Sequence, residues 1–211
     1  TTFVFRADAR VVLAIDLGAT HARLAVTDLA STVLVEHQES VAIGDGPRAV
    51  LDRLGRLGGE LLATSGRSTA ELAGVGVGLP APGDHRAGRP ISPPIMPGWD
   101  RFDVPGHLRQ FVHVPVLVDN DVNIMALGER RAHYPDVDDL LFIKVATGIG
   151  AGIVSDGTLQ RGAQGAAGDI GHIAVPGGPD VTCHCGNHGC LEAVASGGAL
   201  PPPPAAGRGG A

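Results

Sequence analysis

The stretch VVLAIDLGATHARLAV, residues 11–26, decides the fold predicted for this chain. Its first apolar run ends at Asp16 and Gly18, and after a short turn a second apolar run continues to Val26. Two apolar runs on either side of a glycine-containing turn predict a β-hairpin. Because Thr32–Val41 offers a third strand, we expect the chain to open with a three-stranded antiparallel meander.

Beyond the meander, helical and strand patterns alternate, which predicts an α/β fold. From Pro47 apolar positions recur at helical spacing and predict an amphipathic helix that Gly55, Gly58 and Gly59 weaken. The Pro-rich segment Pro80–Pro105 is interpreted as a connecting surface loop. Buried strands are expected at Leu72–Leu79, Val114–Val118, Leu140–Val145 and Ala151–Val154, and a second helix at Val122–His133.

Composition limits the partners of the chain. Its 211 residues are 44% hydrophobic and carry a net charge of −6 without a basic cluster, so nucleic-acid binding by this chain itself is not expected. No secretion signal opens the sequence and no apolar run is long enough to cross a bilayer, so we expect a cytoplasmic protein without a membrane partner. The sequence from Gly197 onward has no pattern that could bury a core and is expected to be disordered, and residues 201–211 are assigned as a disordered tail.

Two glycine-containing turns at strand ends are candidate phosphate loops. Backbone N–H groups of DLGAT, residues 16–20, can form a concavity for phosphate, with Asp16 beside a hydrated cation. A hairpin turn with a capping Asp explains this motif equally well. ATGIGAGIV, residues 146–154, is a second cradle or else a glycine-rich hairpin. Together the two motifs favour two loops that bind one phosphate chain between them.

The acidic segment Asp119–Asp121 comes at a strand end, directly before the second helix. One carboxylate there can cap the helix through its N–H groups. Another can serve as a general base, since deprotonating a hydroxyl needs a carboxylate within hydrogen-bond reach.

The strongest chemical signal is GDIGHIAVPGGPDVTCHCGNHGCLE, residues 168–192. Three cysteines within eight residues favour a metal site over a disulfide, and Cys183, Cys185 and Cys190 with His172 allow a tetrahedral structural zinc site. His184 and His188 are rival fourth ligands. If His172 is the ligand, its zinc bond aligns the neighbouring acidic residues Asp169 and Glu192, which suit the hydroxyls of a sugar.

Taken together, these motifs resemble the ROK family, which groups repressors and sugar kinases on the actin-like ATPase (ribonuclease H-like) fold. DLGAT resembles its first phosphate loop, DNDVN with ALGE its catalytic segment, and ATGIGAGI its second phosphate loop. GAAGDIGH and CHCGNHGCLE resemble its sugar and zinc signature. The resemblance runs from about Val11 to Leu200.

The resemblance implies a role for each matched residue. Asp121 would be the catalytic base that activates a sugar hydroxyl, and His172 both a sugar contact and a zinc ligand. A kinase of this family would also need ATP and Mg²⁺. The monosaccharide would be bound by Asn120, Asp121, Asp169, His172 and Glu192. The nucleotide phosphates would be bound by Asp16, Gly18, Thr20, Thr147, Gly148 and Gly150.

Four features of the sequence bear on activity. Asp169 stands where the family carries a sugar-binding Glu, and Ile95 stands where kinases commonly carry an Asn that contacts sugar. The opening of the chain resembles the junction that follows the winged helix in ROK regulators. After Leu200 a proline run replaces the helices that complete the second lobe and help hold adenine in the family.

We therefore expect two lobes: an amino-terminal α/β lobe over residues 1–119 and an incomplete second lobe over 120–200. An apolar sheet face around Leu141, Ile143 and Val145 should be partly uncovered, which predicts marginal stability or association, with a homo-oligomer as one outcome. Because a proline run replaces the helices that help hold adenine in the family, we also expect weak ATP binding. The expected function is a sugar-sensing ROK module, the effector part of a transcriptional regulator. The alternatives are an ATP-dependent hexose kinase and a nonfunctional truncated fragment.

Overall fold

The computed structural model describes residues 2–200 and shows an α/β protein in this part of the chain. Ten strands and four α-helices are defined there. The helices are α1 (Pro47–Thr64), α2 (Val104–Leu108), α3 (Asp121–His133) and α4 (Leu191–Ala195). The strands are β1 (Val11–Leu17), β2 (His21–Asp28), β3 (Val33–Ser40), β4 (Leu72–Leu79), β5 (Gly83–Asp84), β6 (Arg89–Pro90), β7 (Val116–Asn120), β8 (Leu140–Val145), β9 (Ile149–Ser155) and β10 (Thr158–Leu159).

A five-stranded sheet in the order β3-β2-β1-β4-β7 forms the larger layer. Strands β1, β2 and β3 pair antiparallel, which confirms the predicted meander, whereas β4 pairs parallel with both β1 and β7. Parallel strands end at the same edge of a sheet, so Asp16 of β1, Leu79 of β4 and Asn120 of β7 come to one edge. A separate three-stranded sheet has the order β10-β9-β8.

Helix α1 covers one face of the larger sheet, and two of its glycines have a packing role. A Cβ atom placed on Gly55 would collide with the ring of Phe111, and one placed on Gly58 would lie 2.6 Å from a methyl group of Leu13. These glycines therefore let the helix approach its neighbours closely. Gly59 faces open space. The buried apolar side chains of the helix are Val50, Leu51, Leu54, Leu61 and Leu62.

The interpretation of Pro80–Pro105 as a surface loop is wrong. The segment contains the β5–β6 hairpin and the start of α2, and it contributes Met96 and Trp99 to the core, where they are 1% and 0% exposed. The indole Nε1 of Trp99 donates a hydrogen bond of 3.1 Å to the carbonyl of Ile43, so even its polar atom is paired. The segment lacks periodicity because single side chains, rather than a regular face, fill this part of the core.

Strand β7 runs directly into helix α3. The strand predicted at Val114–Val118 lies two residues further on, so Asp119 and Asn120 belong to the strand and Asp121 opens the helix. Helix α3 also packs against the smaller sheet, where a Cβ atom on Gly152 would collide with that of Ala126. One helix therefore joins the two sheets.

Side chains on one face of β8 are exposed, as the sequence predicted. Leu141, Ile143 and Val145 are 60%, 51% and 64% exposed. The association of the chain stays a prediction, and this exposed apolar face is the surface through which it would occur. The backbone N–H of Gly197 donates a 2.7 Å hydrogen bond to the carbonyl of Ala146, so the expectation that disorder begins at Gly197 is wrong.

The predicted tail at 201–211 lies outside the described residues. Within residues 2–200 no helix combines the length and the apolar character needed to cross a membrane.

The glycines of α1 allow a test of this packing. We expect Gly59→Ala to raise the free energy of unfolding by about 0.5–1 kcal/mol, because Ala costs less backbone entropy in a helix and meets nothing here. Gly55→Ala should lower it by about 1–3 kcal/mol, since the new methyl must displace the ring of Phe111. Urea denaturation of both variants measures the difference. Equal stabilities would show that α1 does not pack as described.

Candidate functional site

A cleft of about 840 Å³ lies where the edge of the larger sheet faces the turn between β8 and β9. Its walls contain every residue that was predicted to bind sugar, and every predicted phosphate-binding residue except Asp16. Ile95, the departure from the kinase pattern, also lines it. The predicted residues in the wall are Gly18, Thr20, Asn120, Asp121, Thr147, Gly148, Gly150, Asp169, His172 and Glu192.

Asp121 is the first residue of α3 and is 4% exposed. Its Oδ1 accepts the backbone N–H of Val122 at 2.8 Å, and its Oδ2 accepts the ammonium of Lys144 at 2.6 Å. A negative charge at this position is also stabilised by the helix dipole. Both oxygens of the predicted base are therefore engaged by the protein itself.

Asn120, rather than a carboxylate, caps helix α3. Its Oδ1 accepts the backbone N–H groups of Val122 at 3.0 Å and Asn123 at 3.2 Å, while its Nδ2 donates to the carbonyl of Ala81 at 3.3 Å. The cap residue is this amide because Asn120 stands at the non-helical position just before the first helical residue, and the predicted carboxylate contributes only through Oδ1 of Asp121, which also accepts the N–H of Val122. Only the second hydrogen of its amide is left for a ligand.

Asp119 connects the two sheets instead of facing a ligand. Its Oδ2 lies 2.7 Å from a guanidinium nitrogen of Arg161, and its Oδ1 accepts the side-chain amide of Asn123 at 3.0 Å. Arg161 follows the smaller sheet, so this charge-assisted pair fixes that sheet relative to β7.

Asp16 lies at the end of β1. Burial raises the pKa of its carboxyl group and the charge of Asp121 raises it further, while the ammonium of Lys144 acts in the opposite direction. The three groups therefore interact electrostatically, although they come from three separate elements.

The first candidate phosphate loop is a tight hairpin turn. The N–H of Gly18 donates to the carbonyl of His21 at 2.8 Å, and a Cβ atom on Gly18 would lie 2.5 Å from the His21 ring. The absence of a side chain on Gly18 thus allows the imidazole of His21 to lie against the turn. Phosphate binding by Gly18 and Thr20 stays a prediction.

The second candidate loop is held by a carboxylate. Oε2 of Glu192 accepts the N–H of Ile149 at 2.9 Å and lies 2.5 Å from where a Cβ of Gly148 would stand. A Cβ on Gly150 would lie 3.1 Å from a methyl of Val122 in α3, so this glycine also serves helix packing. The phosphate contacts predicted for Thr147, Gly148 and Gly150 are not tested by these distances.

Four side chains form a compact candidate metal centre: the ligand atoms of His172, Cys183, Cys185 and Cys190 all lie within 4.8 Å of one another. A tetrahedron around zinc has edges of about 3.8 Å between sulfurs and about 3.6 Å between sulfur and nitrogen, from the usual bond lengths. Sγ of Cys185 lies 3.7 Å from that of Cys190, and Sγ of Cys183 lies 3.5 Å from Nδ1 of His172. The donor set fits the ion, and all three cysteines are free thiols.

The rival fourth ligands do not belong to this cluster. His188 pairs instead with Asp180, with 2.9 Å between Nδ1 and Oδ1, and the side chain of His184 is exposed. Of the three histidines considered, the structure places only His172 with the cysteines.

His172 joins the cysteine cluster to the cleft. Its Nδ1 faces Cys183, and its Nε2 lies 3.7 Å from Oδ1 of Asp169. Burial raises the pKa of Asp169; the charge of His172 lowers it and that of Glu192 raises it. One imidazole can therefore bind a metal with one nitrogen and face a ligand with the other.

Sequence reasoning missed two polar residues that line the cleft, His21 and Lys144, and also Arg161, which pairs with Asp119. Lys144 stands on an otherwise apolar strand, and a lone charge at such a position was the available signal. Its carboxylate partner is 23 residues away along the chain, so only the fold brings the pair together.

Comparison with known proteins places these features in one family. The ROK family model matches residues 12–202. A xylose repressor of Caldicellulosiruptor bescii is 32% identical over 194 residues, covering 92% of this chain and 48% of the repressor. The chain thus spans about half the length of this relative.

Two solved structures share the fold. A ROK family transcriptional regulator, a homologue of the E. coli MLC protein, matches with a TM-score of 0.77 and 30% identity over 92% of this chain and 48% of its own. A ROK glucokinase from Streptomyces griseus, in complex with glucose and AMPPNP, matches with a TM-score of 0.76 and 29% identity, over 90% and 58%. The predicted actin-like ATPase fold is confirmed, and the chain belongs to the ROK family.

Proposed function

We propose that this chain is the sugar-sensing module of a ROK transcriptional regulator. The observation that carries the proposal is the convergence of Asn120, Asp121, Asp169, His172 and Glu192 on one cleft. Carboxylates, an imidazole and an amide together supply both acceptors and donors, which vicinal hydroxyls of a monosaccharide need in order to leave no polar group unpaired. The solved glucokinase holds glucose, and the matched repressor is named for xylose.

Two departures within the cleft favour sensing over catalysis. Ile95 offers no hydrogen bond to a sugar, and Asp169 is one methylene shorter than the Glu of the family pattern. Both changes weaken the orientation of a hydroxyl for transfer, which depends on sub-ångström positioning. Binding alone tolerates such a loss better.

A second candidate function is ATP-dependent hexose phosphorylation. It is favoured by Gly18 and Thr20 facing the same cleft as Thr147 and Gly148. In this mechanism ATP, bound with Mg²⁺, would supply the phosphoryl group and leave as ADP, and Asp121 would accept the proton of the sugar hydroxyl. A coupled ADP-release assay on zinc-loaded protein with a bound hexose distinguishes the two functions, because a sensor releases no ADP above the sugar-free rate.

We propose further that zinc is a structural ion of this module, bound by His172, Cys183, Cys185 and Cys190. Cys185→Ser should reduce the zinc content from one ion per chain to none and lower the melting temperature, because a closed site contributes its binding energy to folding. Elemental analysis and thermal unfolding measure both quantities. His188→Ala is the matched control and should keep the metal. Full zinc in the Cys185 variant would contradict the assignment.

Sugar binding is testable without losing the metal. Glu192→Gln should weaken monosaccharide affinity by about tenfold or more, since hydrogen bonds to a charged acceptor are worth more than neutral ones, and it should leave the zinc content unchanged. His172→Ala should remove both zinc and sugar. Calorimetry with hexoses, pentoses and N-acetylhexosamines provides the measurement, with His188→Ala as the control. Absence of heat across this panel for zinc-loaded protein would end the proposal.

A further inference from the structure

The ion pair between Lys144 and Asp121 occupies the centre of the proposed site. Lys144 lies on β8, where its ammonium is 2.6 Å from Oδ2 of Asp121. The Asp121 side chain is 4% exposed and that of Lys144 is 28% exposed, so the pair is shielded on one side and open to the cleft on the other. A partly buried charged pair at this distance is a strong, persistent contact.

This contact and one backbone N–H leave neither oxygen of Asp121 free of a protein partner. A divalent cation bound to Asp121 would have to share an oxygen with one of these two partners or displace it. The backbone N–H of Val122 takes Oδ1 of Asp121 and the ammonium takes Oδ2. A carboxylate has about four lone-pair sites, so a sugar hydroxyl can still donate to Asp121.

The same ammonium changes what the pair of acidic residues can bind. Asp16 and Asn120, the residue before Asp121, come to the same edge of the larger sheet, and the charge of Asp121 raises the pKa of Asp16. Two neighbouring carboxylates would suit a divalent cation. Lys144 already supplies positive charge to both. Arg23 adds weaker positive charge near Asp16. Hence the residues present do not fit a Mg²⁺ ion bound between the two carboxylates.

We infer that Lys144 is the residue that restricts this site to sugar binding, by excluding the divalent cation that phosphoryl transfer needs. The inference deepens the proposed sensing function and rests on it. Asp121 keeps its remaining lone pairs and acts as a fixed, charged acceptor for a sugar hydroxyl.

The test measures Mn²⁺ binding, since Mn²⁺ replaces Mg²⁺ at oxygen sites and is visible by electron paramagnetic resonance. The zinc-loaded chain is titrated with Mn²⁺ alone; thiolate ligands retain zinc against this ion. Lys144→Met, which removes the charge at similar length, should tighten Mn²⁺ binding by about tenfold or more, because a unit positive charge some 4 Å from a divalent ion repels it appreciably even in water. Lys144→Gln keeps a donor to Asp121 and should have the same effect.

Two controls make the result specific. Lys144→Met combined with Asp121→Asn should lose the gained Mn²⁺ affinity, which a general loosening of the fold would not reverse. Wild-type protein that already binds Mn²⁺ as tightly as Lys144→Met would overturn the inference. If Lys144→Met is unstable, Lys144→Gln provides the same comparison. Sugar titrations of the same samples report separately on the proposed function: no heat from any sample rejects sugar binding, whatever the Mn²⁺ result.

Discussion

The structure depends on the direct passage from β7 into α3. With no loop between them, the last residue of the strand, Asn120, is also the cap of the helix, so the sheet edge fixes the start of the helix. The helix then holds the smaller sheet on its other side, where Gly152 allows close contact with Ala126. Asn120 and Asp121 of the cleft lie at this connection, and the pairing of Asp119 with Arg161 reinforces it.

Much of the fold could be predicted from sequence because its elements follow regular periods. The meander, α1, α3 and the β8–β9 pair were all recognisable from apolar spacing and glycine turns. The burial of Trp99 was not, since a single aromatic side chain in a proline-rich segment has no period to reveal the face it occupies. The two-residue shift of β7 had a similar cause: Asp119 and Asn120 look like turn residues, but their side chains are used at the sheet edge.

In the candidate site, too, some residues could be predicted from the sequence and others could not. The cysteines and His172 could be grouped in advance because short spacings keep most of them together whatever the fold, and the structure places all four side chains together. Lys144 could not, because its carboxylate partner is 23 residues away along the chain and the two meet only after the chain has folded. The glycines of the second loop were interpreted as ligand contacts, yet Gly150 also faces α3. A glycine motif therefore indicates that another group lies close to the backbone, but it does not distinguish a ligand from a neighbouring helix.

Strand β8 is expected to make the refolding of this chain depend on protein concentration. It is an edge strand of its three-stranded sheet, and alternate side chains along it are apolar and exposed. Open backbone groups beside an apolar face form a template for intermolecular strand pairing. Such pairing is second order in protein, whereas folding is first order, so dilution favours the folded monomer and concentration favours the assembled form. Refolding yield should accordingly fall as the protein concentration is raised, even when the solvent and temperature stay the same.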